Sequence, residues 1–513
     1  MDPGSPSARG TPLEHAVAAA LLLVLLLLLI LSSLHKRLSN DEWFNLDYGR
    51  EFLQEGSRAA TSPHLPSLAA NAAFCLSSGC DRQRLDVHGG ERLLVRGPTM
   101  ACALLLGGLV YLWTRELWGG LPALLALALY VFNPNVLAHG KQVTGDVPAS
   151  LFSFLAAYGA FGLSVRGRPR DLLLAAAGLA GAALTKATGL VLVPVLVLAL
   201  LFGPGRAPVR TRLKGVLVLL ALFLFLVGLP YAFRGVLATA GSLPLESHAL
   251  RALLPGWLPM PFPRAYVLGL DFLMVFQEQP TLQRGMNYAL GHLSYAPIWY
   301  AFPLMFLLKT PLAFLVLLGL GLSRGLSRAL AVYVLLPALG ILLLFGLCVG
   351  PQMGVRYLLP AFPFLTLIAG GAVRAPAARL RLGATGLLVL WNAGSTLSYH
   401  PFYMSYFNEL IGKRLHAYRY LADSNLDWED RAFFISRYKE AHPGITISVD
   451  PPDPCPGYVL VSANKLVGII DRQRYRWLRR NFEPIDHVGY SYLLFYVPPE
   501  RLGEITKRGP SAE

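Results

Sequence analysis

The feature that most constrains this chain is an apolar run from Ala16 to Leu34, about 19 residues long and interrupted only by Ser32 and Ser33. A helix rises about 1.5 Å per residue, so such a run is about as long as the hydrocarbon core of a bilayer is thick. It is too long for the apolar region of a signal peptide, and no small-residue cleavage site precedes His35-Lys36-Arg37. It therefore reads as an uncleaved span. Similar blocks predict further spans near 98–117, 120–138, 147–165, 171–187, 189–204, 213–233, 310–323, 329–349, 357–373 and 383–399. That makes roughly eleven. Composition agrees, since hydrophobic residues are 54% and charged residues only 15% of the chain, against about 25% charged in soluble domains.

The net charge of +15 does not point to nucleic acid, because no basic helix or aromatic-interleaved groove carries it. The cations instead crowd short connections: Arg115; Arg166, Arg168 and Arg170; Arg206, Arg210, Arg212 and Lys214; Arg324 and Arg328; Arg374, Arg379 and Arg381. By the positive-inside rule these loops are cytoplasmic, as is the N-terminus. His35-Lys36-Arg37 runs against the rule but is outweighed.

The opposite connections differ in kind. Two are long, 35–97 and 234–309, and a third region begins near residue 400. They mix carboxylates, prolines and aromatics, a composition that favours order over disorder, and long ordered loops are commonly functional. The last region holds strand-like runs at 445–449, 458–461 and 490–497 and helix-like stretches near 427–441 and 470–480. The expected fold is an α-helical polytopic membrane protein, with a membrane module at 1–399 and a small extracytoplasmic α/β domain at 400–513. Of the five cysteines, Cys102 and Cys348 lie in apolar blocks. Cys75 and Cys80 fall in the first outer loop, where a disulfide can persist, and two unpaired thiols fit equally well. No metal signature, internal repeat or nucleotide fingerprint is present.

Several ionisable residues fall at span ends on the outer side. Asp41 and Glu42 follow the first span, where a carboxylate can take a proton from a hydroxyl while a lipid tail stays in the bilayer; two acids closing a helix at a wet surface is the plainer reading. Asp146 precedes Val147-Pro148, where a helix cap and a functional acid fit equally. Lys186, Lys309 and Arg356 sit at similar depth. Each alone can be a snorkelling side chain, but together they suit a lipid phosphate held beside a carboxylate.

The stretches Asn133-Pro134-Asn135-Val136-Leu137-Ala138-His139-Gly140 to Asp146-Val147-Pro148, Leu184-Thr185-Lys186 and Leu308-Lys309-Thr310-Pro311 resemble those of GT-C class membrane glycosyltransferases. So do Arg356-Tyr357-Leu358-Leu359-Pro360, Ser405-Tyr406-Phe407-Asn408-Glu409 and Asp423-Ser424-Asn425-Leu426-Asp427-Trp428. The nearest branch is the bacterial relatives of protein O-mannosyltransferases and of the aminoarabinose transferase, and the likeness runs over essentially the whole chain. The resemblance implies a polyprenyl-phosphate sugar donor, an acceptor that is protein, glycan or lipid, and an inverting transfer in the bacterial inner membrane. It implies Asp41 as general base with Glu42 beside it, an acidic role for Asp146, and donor-phosphate contacts from Lys141, Lys186, Lys309 and Arg356. His64, His139, Asn425, Asp427 and Trp428 are the acceptor-side candidates. No redox cofactor is required and no protein metal site is expected, although a divalent cation can share the phosphate work. The chain departs from relatives at Trp43-Phe44-Asn45, where Pro and His often follow the acids, and only loosely echoes a His-Pro-Pro-Leu pattern at His64-Leu65-Pro66-Ser67-Leu68. A transporter or flippase for a polar lipid is the main alternative, but it calls for ionisable groups at mid-bilayer in broken, repeated halves. A membrane scaffold with an outer partner-binding domain is the other.

Overall fold

The computed structural model of the protein describes residues 11–55, 65–77, 79–87, 89–205, 207–279, 286–348, 350, 352–374, 379–426 and 428–507. Helix α1 (Pro12–Leu31) opens on a capping box in which Thr11 and Glu14 exchange backbone-to-side-chain hydrogen bonds, each 3.2 Å, satisfying two otherwise unpaired amides. The first long loop holds α2 (Asn40–Glu55), α3 (Leu65–Ser77) and α4 (Arg82–Val87), with Cys75 and Cys80 joined in a disulfide. Then follow α5 (Gly89–Trp118), α6 (Gly120–Val131), α7 (Pro134–His139), α8 (Asp146–Val165), α9 (Pro169–Thr185), α10 (Leu192–Phe202) and α11 (Val209–Gly228). The second long loop carries α12 (His248–Leu253), α13 (Arg264–Glu278) and the hairpin β1 (Asn287–Ala289) with β2 (His292–Ser294). Helices α14 (Ala301–Lys309), α15 (Leu312–Ser323), α16 (Arg328–Leu330), α17 (Leu336–Cys348), α18 (Phe362–Gly370) and α19 (Arg379–Leu397) complete the bundle.

Helix occupies every predicted span, but not always as one rod. By length and composition six helices among the described residues can cross a membrane, or seven if α14 and α15, bent by 103°, form one. The predicted span 120–138 breaks at Asn133-Pro134, where Asn133 caps α7 through Asn135 N–H (2.9 Å) and Val136 N–H (3.3 Å). Proline at the first helical position suits a new start and not a continuation. Pro311 likewise separates α14 from α15. Helices α8 and α9 pack backbone to backbone: a Cβ on Gly159 would meet Ala175 N at 2.3 Å, and one on Gly178 would meet Ala156 N at 2.3 Å. Small residues at such crossings allow the close approach that drives helix packing in lipid.

The short basic connections gather at one end of the bundle. Arg166 reaches Glu116 and Asp171, Arg374 donates to the carbonyls of Arg324 and Gly325, and Arg115 faces Glu14 at 3.8 Å. The long loops and the C-terminal region share the other end. There a four-stranded sheet runs in the order β3 (Ile447–Val449), β4 (Gly457–Ser462), β6 (Tyr492–Val497), β5 (Asp486–Val488). β3 and β4 are parallel and the other pairs antiparallel. Helix α20 (Ala432–Ala441) lays Phe434, Ile435 and Tyr438 against Ile447, Leu460, Val488 and Leu494. The short helices α21 (Ala463–Val467), α22 (Arg476–Asn481) and α23 (Pro499–Lys507) complete the region. β5 is too short to show as an alternating run, and the helix predicted at 427–441 begins only at Ala432.

One carboxylate clamps this region to the membrane helices. Glu429 meets Lys36 Nζ at 2.7 Å, Lys141 Nζ at 2.8 Å and Arg431 Nη1 at 2.8 Å, all in the interior. Burial alone would raise its carboxyl, but Lys141, Lys36 and Arg431 outweigh burial and hold it well below the usual range. Removing the one acid from a buried cluster of cations leaves charges uncompensated. Glu429→Gln is therefore expected to cost about 3–5 kcal/mol, read as a lowered thermal midpoint in detergent; an unchanged midpoint would show that the clamp holds nothing.

Candidate functional site

Three polar breaks in the bundle come together at the loop end. The first is the turn between α1 and α2. Ser39 and Glu42 form a capping box there, Ser39 N–H donating to Glu42 Oε2 at 2.9 Å and Glu42 N–H to Ser39 Oγ at 3.3 Å, which sets Asp41 in the first turn of α2. The second is the junction after α9, which ends at Lys186 in extended backbone (φ −155°). Gly145 lets the loop before α8 close on it, since a Cβ there would meet Thr185 O at 2.6 Å. The third is the 3-10 turn Val355–Ala361, entered through Gly354 at φ +85°, where a Cβ would lie 2.5 Å from Ser424 Oγ.

At their meeting point Trp428 Nε1 donates to Asp41 Oδ2 at 2.7 Å. The Arg356 guanidinium lies over the Trp428 ring at 4.1 Å, its Nη1 3.8 Å from the same Asp41 oxygen. Lys186 Nζ donates to Asp146 Oδ1 at 2.5 Å and sits over the Tyr357 ring at 4.5 Å. His139 is buried and faces Trp428 with ring centroids 5.9 Å apart. Asp423, near Arg356, has its carboxyl pushed up by burial, with Arg356 opposing the shift.

Exposure separates the roles. The Asp41 side chain is 45% exposed, whereas Arg356 and Lys186 show 14% and 17%. Arg356 donates only to Met353, through its carbonyl (3.0 Å) and sulfur (3.5 Å), among the described residues. With five guanidinium donors, most are left to face an anion. The geometry is thus a water-reached carboxylate at the rim, two cations behind it and aromatic walls between.

Asp41, Asp146, Lys186, Arg356, His139 and Trp428 are brought together. Glu42 is not with them: Arg96 holds it through Nε and Nη2, both at 2.9 Å, and Val143 N–H donates to it at 3.2 Å. Its predicted place beside the base is corrected to a buried strut. Lys141 is spent on Glu429 and on Ser32 O at 3.0 Å, and Lys309 on the carbonyls of Met404 (2.7 Å) and Asn425 (2.6 Å). Neither ammonium is free for a phosphate. Asn425 ties Val355 N–H (3.0 Å) to this turn, a bracing position rather than a contact surface. His64 and Asp427 lie outside the described residues. Tyr357 and Asp423 join the centre without being among the expected site residues, although both stand inside the Arg356 and Trp428 motifs. Among the described residues no three His, Cys, Asp or Glu side chains converge as metal ligands do.

The site defines a class first: a polytopic membrane protein with an acid-and-cation centre where bundle and loops meet. Residues 85–231 then match the family model for dolichyl-phosphate-mannose-protein mannosyltransferase. The match spans under a third of the chain. It contains His139, Asp146 and Lys186 but not Asp41, Arg356 or Trp428. No curated protein sequence matches. Among solved structures, the oligosaccharyltransferase AglB from Archaeoglobus fulgidus, in complex with an inhibitory peptide and a dolichol-phosphate, is 14% identical with a TM-score of 0.47; the match covers 77% of this chain and 58% of that one. ArnT from Cupriavidus metallidurans, bound to undecaprenyl phosphate, is 13% identical with a TM-score of 0.46, over 93% of this chain and 97% of that one. Values this low leave the family segment as the firmer likeness.

Burial pushes the His139 imidazole down to about 4, with nearby Asp146 opposing and Arg356 and Lys309 reinforcing the shift. The unfolded chain, near 6.5, then binds the proton first as pH falls. Stability is full above about 6.5 and is lost toward about 4, by on the order of 3 kcal/mol. His139→Leu should flatten the acid side of the stability profile over this range; an identical slope in the variant contradicts the assignment.

Proposed function

We propose that the protein moves a sugar from a polyprenyl-phosphate donor to an acceptor hydroxyl on the extracytoplasmic side of the membrane, with inversion at the anomeric carbon. The observation that carries this reading is the half-exposed Asp41 carboxylate, fixed by Trp428, in front of Arg356 and Lys186. The long loops lie opposite the basic connections, and the positive-inside rule makes their side extracytoplasmic.

In this reading the acceptor oxygen attacks the anomeric carbon as the bond from that carbon to the phosphate oxygen breaks. The acceptor proton passes to Asp41. The departing electron pair stays on the lipid phosphate, where Arg356 and Lys186 stabilise its charge. Asp146 keeps Lys186 aimed inward, and the Trp428 and Tyr357 rings keep both cations dry on one side, which strengthens them. No redox cofactor is called for, and a divalent ion remains an optional aid to the phosphate.

Asp41→Asn keeps the Trp428 contact and removes the base. It should lower turnover by roughly 10²–10⁴-fold while donor binding and thermal midpoint stay as in the wild type, measured by release of polyprenyl phosphate and by donor titration. Full turnover in this variant would remove Asp41 from the chemistry. Arg356→Lys should instead weaken donor binding, because a point charge replaces a stacked planar fork.

A further inference from the structure

A second charged site lies away from the Asp41 centre. Between the β1–β2 hairpin, the turn Arg414–Arg419 and the segment around α22 there is a cavity of about 480 Å³. Among the described residues five arginines line it, Arg419, Arg472, Arg476, Arg479 and Arg480, and no carboxylate does. Of the acids nearest in sequence, Glu483 pairs with Arg419, one of the five, at 2.5 and 2.6 Å and stands 3.7 Å from His416, while Asp471 accepts the backbone N–H of Gln473 and Arg474; Arg472, Arg479 and Arg480 carry the charge of the site. Burial, followed by the neighbouring Arg480, Arg472 and Arg476, lowers the Arg479 guanidinium. Arg479 is braced by the carbonyls of Leu466 (3.2 Å) and Arg472 (2.6 Å).

Like charges held this close cost free energy unless an anion joins them. Guanidinium forks match the oxygens of a phosphate. The surroundings say where such an anion comes from. Leu290 at the hairpin tip, Tyr295, Trp299 and Ile470 are exposed large apolar side chains around the cavity and on the approach to α14. The hairpin is tied to both walls, Met286 N–H donating to Ile469 O at 3.0 Å and Leu290 N–H to Tyr420 O at 2.8 Å. Trp299 and Tyr300 lead straight into α14, the first limb of the bent apolar pair. Exposed aromatic and aliphatic side chains at a helix entrance mark the membrane interface, and a cation cluster at that level is suited to anionic headgroups.

We propose that this pocket binds the phosphate of an anionic phospholipid headgroup in the leaflet on the site's side, docking the C-terminal region against the membrane. Arg472 and Arg480 are exposed rim residues, so reversing them should spare the fold.

The test titrates the purified full-length protein in neutral detergent with phosphatidylglycerol, phosphatidylcholine or inorganic phosphate, and reads bound species by native mass spectrometry. Wild type should retain phosphatidylglycerol roughly tenfold or more over phosphatidylcholine. Arg472→Glu/Arg480→Glu should lose that preference at an unchanged thermal midpoint, and Arg472→Lys/Arg480→Lys should keep most of it. Equal preference in wild type and the charge-reversed variant overturns the site. Uptake of inorganic phosphate with no lipid preference overturns the lipid source.

Discussion

The structure depends on how a few charges are neutralised at the membrane edge. Glu429 is the pivot. Its three cations come from the exit of α1 (Lys36), the loop before α8 (Lys141) and its own segment (Arg431). Neutralising them in one place pulls three distant parts of the chain together. Trp428 is the preceding residue, and Asp41 follows Lys36 by a single turn of chain. The clamp therefore sets the hydrogen bond from Trp428 to Asp41 without touching it. The Glu42–Arg96 pair repeats the device one step further out, anchoring the start of α2 to α5.

This division of labour explains why so many ionisable residues crowd one end of an apolar bundle. Some hold the scaffold and are sealed from water; others face the cleft and are only partly engaged. Glu42, Lys141 and Lys309 belong to the first group, and Asp41, Arg356 and Lys186 to the second. In a low-dielectric setting the difference between a paired and an unpaired charge is large, so the two roles do not blur.

Much of this was legible in the sequence. The apolar blocks fell on helices, although only six or seven of the described ones are long enough to cross a membrane against the eleven expected, and the alternation of short basic with long mixed connections separated the two ends. The glycines in the spans fit close packing, as Gly159 and Gly178 show. What could not be read was partnership. Asp41 and Glu42 are adjacent in the chain, yet a helix turns successive residues by about 100°, so one faces the cleft and the other faces Arg96. Lys141 and Lys186 look alike from sequence, and only the fold puts Glu429 against one and sets the other beside Asp146 behind the rim. Broken helices were also hidden: hydropathy counts apolar residues across Pro134, and α14, which precedes Pro311, falls in the long connection 234–309. The arginines near α22 were visible as letters, but the hairpin that closes a cavity over them comes from far earlier in the chain.

The central claim is that the Asp41, Arg356 and Lys186 centre acts on a lipid-linked sugar. The most direct measurement incubates the purified protein with a panel of polyprenyl-phosphate sugars and candidate acceptors, then looks for free polyprenyl phosphate and the anomeric configuration of the product. The account predicts release with at least one donor and a product inverted relative to it. No release with any donor, or retained configuration, would contradict it.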